Sequence, residues 1–199
     1  MAKKESTLLN MVLTLLVVTA VASTALGFVY EFTKGPIAAA REAKRISAIE
    51  QVLPEFDNNP GSEVKALAMD GDSVYLYTGR KDGEWVGTAV QTFSKQGFSG
   101  YIWLMVGFLP DGTIHNIVVL EHKETPGLGD KMEQEKSFDK KTGKSWSSQF
   151  FGKHPDNFQL MVTKDGGDVD AITASTISSR AYCDAVNRAY QAFKEGGNQ

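Results

Sequence analysis

Apolar positions are distributed unevenly along this chain. Residues 8–32 are apolar apart from Asn10, a few Thr and Ser, and Glu31, and the stretch 11–30 carries no charge. At about 1.5 Å per residue, roughly 20 helical residues cross a hydrocarbon core, so this run predicts one membrane-spanning helix. Lys3 and Lys4 precede it, and Phe28, Tyr30 and Phe32 close it, Tyr30 being a residue type that suits the membrane–water boundary. The competing reading is a cleaved secretory signal, because Ala22-Ser23-Thr24-Ala25 loosely matches a small-residue cleavage site. The run is longer than the roughly 7–15 apolar residues of such a signal, which favours a retained anchor. Lys34, Arg41, Lys44 and Arg45 follow the span, so positive charge flanks it on both sides and does not by itself orient it.

Beyond the anchor the period changes twice. Residues 37–53 read as a helix with Ile46, Ile49 and Leu53 on one stripe, and Pro54 stops it. Five short strand-like runs follow at 64–69, 73–78, 86–92, 101–109 and 114–121. Asp-Gly pairs at 70–71, 82–83 and 111–112 punctuate them, and Asp-Gly suits the positive backbone angles of tight hairpin turns. Consecutive hairpins predict an antiparallel, twisted sheet with one covered face, not a doubly wound parallel one. A short helix is expected over 130–136 and a further strand over 158–163, ended by Asp165-Gly166-Gly167. Residues 178–194 read as a helix, with Ala181, Ala185, Ala189 and Phe193 on one face, and the tail from Gly196 as frayed. The expected architecture is therefore α+β, with residues 1–32 as tail and transmembrane anchor and 33–199 as one domain of sheet and packed helices.

Composition narrows the function classes. The chain has 199 residues and a net charge of −3 with no long basic block, which argues against nucleic acid as a partner. Cys183 is the single cysteine, so there is no internal disulfide and no CxxC motif for haem, iron–sulfur or zinc. It reads as a small buried helix residue. His115, His122 and His154 lack metal-ligand spacing and read as solvated or locally hydrogen-bonded. Neither a GxGxxG nor a Walker motif is present, and GxSxG is absent as well. Trp103 and Trp146 read first as packing residues, and Lys131 as a solvated one.

Two segments carry chemistry. The first is Asp170-Ala171-Ile172-Thr173-Ala174-Ser175-Thr176, at the entry to the last helix. Its plain reading is a hydroxyl-rich helix cap, with Asp170 as a turn-forming cap. The same position is also an anion site, because first-turn N–H groups lack partners and the helix dipole favours negative charge. The second is Glu124-Thr125-Pro126-Gly127-Leu128-Gly129-Asp130, after a strand. Its plain reading is a type II turn on Pro126-Gly127, with Asp130 capping a short helix.

Together these segments resemble the motifs of the covalent FMN-binding domain family. Asp-x-x-Thr-[Gly/Ala]-[Ala/Ser]-Thr is similar to the recognition motif of flavin transferases, which move FMN from FAD onto the motif's last threonine. Here Ala174 and Ser175 replace the commoner Gly and Ala, both remaining small. Glu-Thr-Pro-Gly-Leu-Gly is a signature of the same family. With a single N-terminal span, the chain resembles the G-subunit family of Rnf complexes, the ion-translocating ferredoxin:NAD+ oxidoreductases. The C subunit of the sodium-translocating NADH:quinone oxidoreductase is a longer relative.

The resemblance implies FMN bonded through its phosphate to Thr176, with Thr173, Ala174 and Ser175 around the phosphate and Asp170 as the motif's leading acid. Glu124, Thr125, Leu128 and Gly129 are the implied ring contacts. It further implies an electron-transfer subunit with no catalytic site of its own, partnered by other membrane subunits and matured by a flavin transferase. The implied location is the bacterial inner membrane, single-pass, with the domain outside the cytoplasm. A non-redox adaptor domain is the alternative in which both motifs are coincidence.

Overall fold

The structure, a computed structural model, describes residues 7–197. The chain divides into two compact units, residues 1–43 and 44–199.

Helix α1, Leu8–Val52, is continuous where the sequence predicted a span followed by a separate helix; Pro36 lies inside it. Its apolar window has a mean hydropathy of 2.3, long and apolar enough to cross a membrane. Leu8, Leu15, Phe28 and Phe32 are among its exposed large apolar side chains. The polar residues of this run are satisfied locally. The hydroxyls of Thr14, Thr19, Thr24 and Thr33 donate to the carbonyls of Asn10, Leu15, Ala20 and Val29 at 2.7–2.8 Å. Such i−4 bonds leave no orphan hydroxyl in a medium without water.

The second unit holds a five-stranded antiparallel sheet in simple meander order. Its strands are β1 (Lys65–Met69), β2 (Asp72–Lys81), β3 (Glu84–Gly97), β4 (Gly100–Phe108) and β5 (Ile114–Glu121). Two hairpins are type I′ in character, with positive φ at Asp70 and Gly71 and again at Asp82 and Gly83. β3 is longer than its sequence pattern suggested and ends in the turn Gly97-Phe98-Ser99-Gly100, where Gly100 has φ 116°.

The 130–136 segment, expected as one short helix, splits into a 3-10 turn, Gly129–Met132, and a single helical turn, α2 (Gln134–Ser137). One face of the sheet packs against α3, Thr176–Gly196, through a core that includes Val90, Leu104, Val106, Phe108, Tyr182, Val186 and Phe193. Buried hydroxyls on that face find partners: Thr92 donates to the Ala185 carbonyl at 3.0 Å, Ser94 to Asp184 at 2.7 Å, and Thr88 to the Gly197 carbonyl at 3.2 Å. The last bond docks the chain end at Gly197, correcting the expectation of a frayed tail there; Asn198 and Gln199 lie outside the described residues.

The opposite face is covered too, contrary to the one-face expectation. Ala48, Ile49, Val52 and Leu53 pack on Tyr77, Ala89 and Met105. The buried stripe at the end of α1 thus includes Ala48 and Val52, while Ile46 is half-exposed. Gly107 allows this close approach, since a Cβ there would sit 1.8 Å from the Val52 carbonyl oxygen.

Residues 158–163, expected as a strand, form none. Gln159, Met161 and Thr163 pair with residues 168–169 across a tight loop, leaving one isolated parallel bridge between Val162 and Val169. Gly167 has no room for a side chain beside the Met161 carbonyl, which keeps this loop closed on itself.

All three histidines are locally hydrogen-bonded: His115 to the Val52 carbonyl, His154 to the Asp111 carbonyl, and His122 to Glu133. Cys183 is 3% exposed, and burial pushes its thiol up to about 12.

Gly107→Ala is expected to destabilise the second unit by about 2–3 kcal/mol, the scale of overpacking a filled core, read as a lower melting temperature by circular dichroism. Cys183 is expected to resist a disulfide reagent at pH 8 in the native protein and to react once in denaturant. Because its folded pKa lies above the unfolded value of about 8.5, the stability linked to this thiol is full below pH ~8.5 and declines as pH rises toward 12.

Candidate functional site

The site begins with how α3 starts. Ser175 is the cap residue, and its side chain bonds none of the first-turn N–H groups. Ala174, just before it, has φ 61°, a left-handed conformation that folds the chain sharply into the helix. Buried Ser179 locks this turn. Its hydroxyl accepts the Ile172 N–H at 2.9 Å and donates to the Ser175 carbonyl at 3.0 Å, while the Ser175 N–H reaches the Ile172 carbonyl at 2.9 Å. Upstream, the Asp170 backbone is clamped by Gln149 at 2.8 Å and by the Trp146 indole N–H at 2.6 Å. Trp146 also packs edge-on against Phe150 and Tyr182. Thr176 is thereby fixed as the first helical residue. It is half-buried, and its hydroxyl has no hydrogen-bond partner among the described residues.

The opposite wall is the loop after β5. The Leu128 N–H bonds to the Thr125 carbonyl at 3.1 Å and Gly127 has φ 78°, which is the type II turn that Pro126-Gly127 predicts. Glu124 is 5% exposed. Its two carboxylate oxygens accept from the Ser99 N–H at 3.0 Å and from the Ser178 hydroxyl at 2.5 Å. This carboxylate therefore ties three segments together: the β3–β4 turn, the 124–129 loop and the first turn of α3. Gly129 makes room for it, since a Cβ there would lie 2.6 Å from Ser178 Oγ and 2.8 Å from Glu124.

Between the walls lies a cavity of about 340 Å³, lined by residues that include Glu124, Thr125, Leu128, Gly129, Ala174, Ser175 and Thr176. These seven are sequence candidates, drawn from segments about fifty residues apart. Two other candidates are elsewhere. Thr173 is exposed and does not line the cavity. Asp170 is exposed, its side chain has no hydrogen bond among the described residues, and Ser175 rather than Asp170 caps α3. Asp130 likewise lies within its 3-10 turn, whose cap is Leu128.

Sequence reasoning missed three lining residues, Phe98, Ile177 and Ser178. Phe98 and Ile177 are 68% and 48% exposed, and with Leu128 at 40% they form an apolar rim. The glycines flanking Phe98 were the available signal, since a large apolar residue at a hairpin tip has no core to enter.

The cavity suits a flavin phosphate in its donor chemistry. The free N–H groups at the start of α3 and the unpartnered Thr176 hydroxyl face a polar end, and the apolar rim is open to a planar ring. The fold and site define an FMN-binding domain, and residues 97–191 match the family model described as FMN-binding domain. The chain is 35% identical over 161 residues to the G subunit of an ion-translocating oxidoreductase complex from Shewanella baltica, covering 76% of this chain and 73% of that one. It is 31% identical over 195 residues to the G subunit of a Na+-translocating ferredoxin:NAD+ oxidoreductase complex from Acetobacterium woodii, covering 92% and 89%. The corresponding G subunit from Vibrio cholerae is 31% identical, covering 93% and 90%. The chain belongs to the G-subunit family of ion-translocating oxidoreductase (Rnf) complexes.

Gly129→Ala is expected to cut the flavin-to-protein absorbance ratio severalfold while leaving the far-ultraviolet circular dichroism spectrum unchanged, because the added methyl displaces Glu124 and Ser178 at the cavity wall.

Proposed function

We propose that this chain carries FMN as a phosphate ester of Thr176 and works as an electron-transfer subunit of a membrane-bound ion-translocating ferredoxin:NAD+ oxidoreductase. The observation that carries the reading is the placement of Thr176: first in α3, hydroxyl unpartnered among the described residues, and beside the cavity that the 124–129 loop also lines. Membership of the G-subunit family supports the same role.

Loading forms one bond and breaks one. Thr176 Oγ1 gives up its proton and bonds to the FMN phosphorus of FAD, and AMP leaves. A partner flavin transferase and its metal supply positioning and charge neutralisation. On this side, the chain contributes an accessible hydroxyl at a helix N-terminus, where N–H groups and the dipole favour the phosphate. The exposed carboxylate of Asp170, the motif's leading acid, is the residue the transferase would meet on approach. Thr173, exposed on the same loop, belongs to that recognition surface.

Once bound, FMN supplies the redox chemistry. Glu124, Thr125, Leu128 and Gly129 orient the ring, and Ala174 and Ser175 leave the backbone close to the phosphate. A covalent tether keeps the effective concentration of the flavin high without a deep pocket, which fits an open cavity with an apolar rim. Residues 1–32 serve as tail and anchor in a bacterial inner membrane, and 33–199 form the domain on its extracytoplasmic side.

In protein purified from its native host, the tryptic peptide containing Thr176 is expected to be heavier by one FMN, and the band to fluoresce as flavin after SDS denaturation. Thr176→Ala should abolish both. An unmodified peptide from cells that contain a flavin transferase would overturn the proposal.

A further inference from the structure

Among the described residues, Glu124 is the only ionisable side chain lining the cavity. It is buried, no described cation lines the cavity with it, and both of its oxygens act as acceptors, as a carboxylate's do. Its position is set from two sides. Ser178 Oγ, itself buried, donates to one oxygen at 2.5 Å. The Glu124 backbone N–H donates to His122 Nδ1 at 3.0 Å. An Nδ1 that accepts leaves the proton on Nε2, and that nitrogen lies 2.9 Å from Glu133 Oε1, so the imidazole is held between the two. His122 thus reaches the first turn of α3 through Glu124.

We infer that Ser178 and His122 are positioning residues that hold the Glu124 carboxylate in the cavity as a fixed anion, and that this anion keeps the reduction potential of the bound flavin low. The inference rests on the proposed function, which places FMN in this cavity. Reduction adds electrons to the ring, and an uncompensated negative charge in a partly desolvated site opposes that more strongly than it would in water. The hydroxyl of Ser178 and the N–H of Ser99 stabilise the charged carboxylate. The start of α3, where the helix dipole is positive, does the same. If His122 lets go of the Glu124 N–H, the 122–129 loop is free to withdraw the carboxylate.

The test is a spectroscopic redox titration of the full-length flavinylated protein and its variants. Glu124→Gln removes the charge and is expected to move the midpoint potential upward. Ser178→Ala and His122→Leu are expected to move it in the same direction by less. His122→Asn should restore the wild-type potential, because an asparagine oxygen accepts the N–H two residues on in an Asx turn. A midpoint potential is read on whatever flavin is bound, so partial loading does not blur the comparison. Where Glu124→Gln or Ser178→Ala fails to fold, the two His122 variants decide. A flavinylated Glu124→Gln at the wild-type potential, or His122→Leu indistinguishable from wild type, overturns the inference while leaving the proposed function intact. Absence of flavin from the wild-type protein sinks both.

Discussion

Helix α3 lies flat across one face of the sheet, and what depends on that seating is the direction its first turn points. The apolar side of the helix, from Ala181 through Phe193, supplies the burial. At about 25 cal/mol per Å² of apolar surface removed from water, such a face is the main stabilising contact available to a helix packed on a sheet. Hydrogen bonds then fix its register: Thr92 to Ala185, Ser94 to Asp184, and the Arg188 guanidinium to the Phe93 carbonyl at 3.0 Å and to Asp70. A buried hydroxyl left without these partners costs roughly 1–3 kcal/mol, so the helix cannot slide by one residue cheaply. With the register fixed, Ser178 meets Glu124 and Thr176 lines the cavity.

The cavity is therefore a product of two kinds of rigidity. On the α3 side, the Ser179 hydroxyl and the left-handed Ala174 shape the backbone before the helix begins. On the loop side, the Pro126-Gly127 turn and the His122–Glu133 pair hold the chain so that Glu124 points inward. Neither side makes a pocket by itself. The carboxylate bridging Ser99, Ser178 and the loop joins them. A carrier of a tethered cofactor needs this division of labour: one wall to take the phosphate, another to orient the ring, and an open rim through which electrons pass to neighbouring subunits.

The second face of the sheet has a different task. Ala48, Ile49, Val52 and Leu53 cover it, with Gly107 and Gly87 giving the backbone clearance they need. The same helical sequence that carries the apolar run thus ends as core of the folded unit. Sequence periodicity alone assigned the stripe to Ile46, Ile49 and Leu53. Ile46 faces away because the sheet accepts only the side of the helix that passes over its small residues.

What the sequence settled by itself is whatever local chemistry dictates. A long uncharged run is an anchor because lipid cannot hydrogen-bond a backbone. Asp-Gly pairs make tight hairpins because they accept positive φ, and five such alternating runs make a meander. Pro126-Gly127 makes its turn for the same local reason. Those rules gave the antiparallel sheet, the last helix and the two motif segments. Contacts between distant residues were decided only in three dimensions. Residues 158–163 have a strand's composition, yet no neighbouring strand was free to pair with them, so they close on residues 168–169 instead. Ser178 reads in sequence as one more hydroxyl in a helix, and Phe98 as a stray apolar residue in a turn. Their place in the cavity exists because the β3–β4 turn, the 124–129 loop and α3 converge on one carboxylate, and no periodicity within any single segment records that meeting.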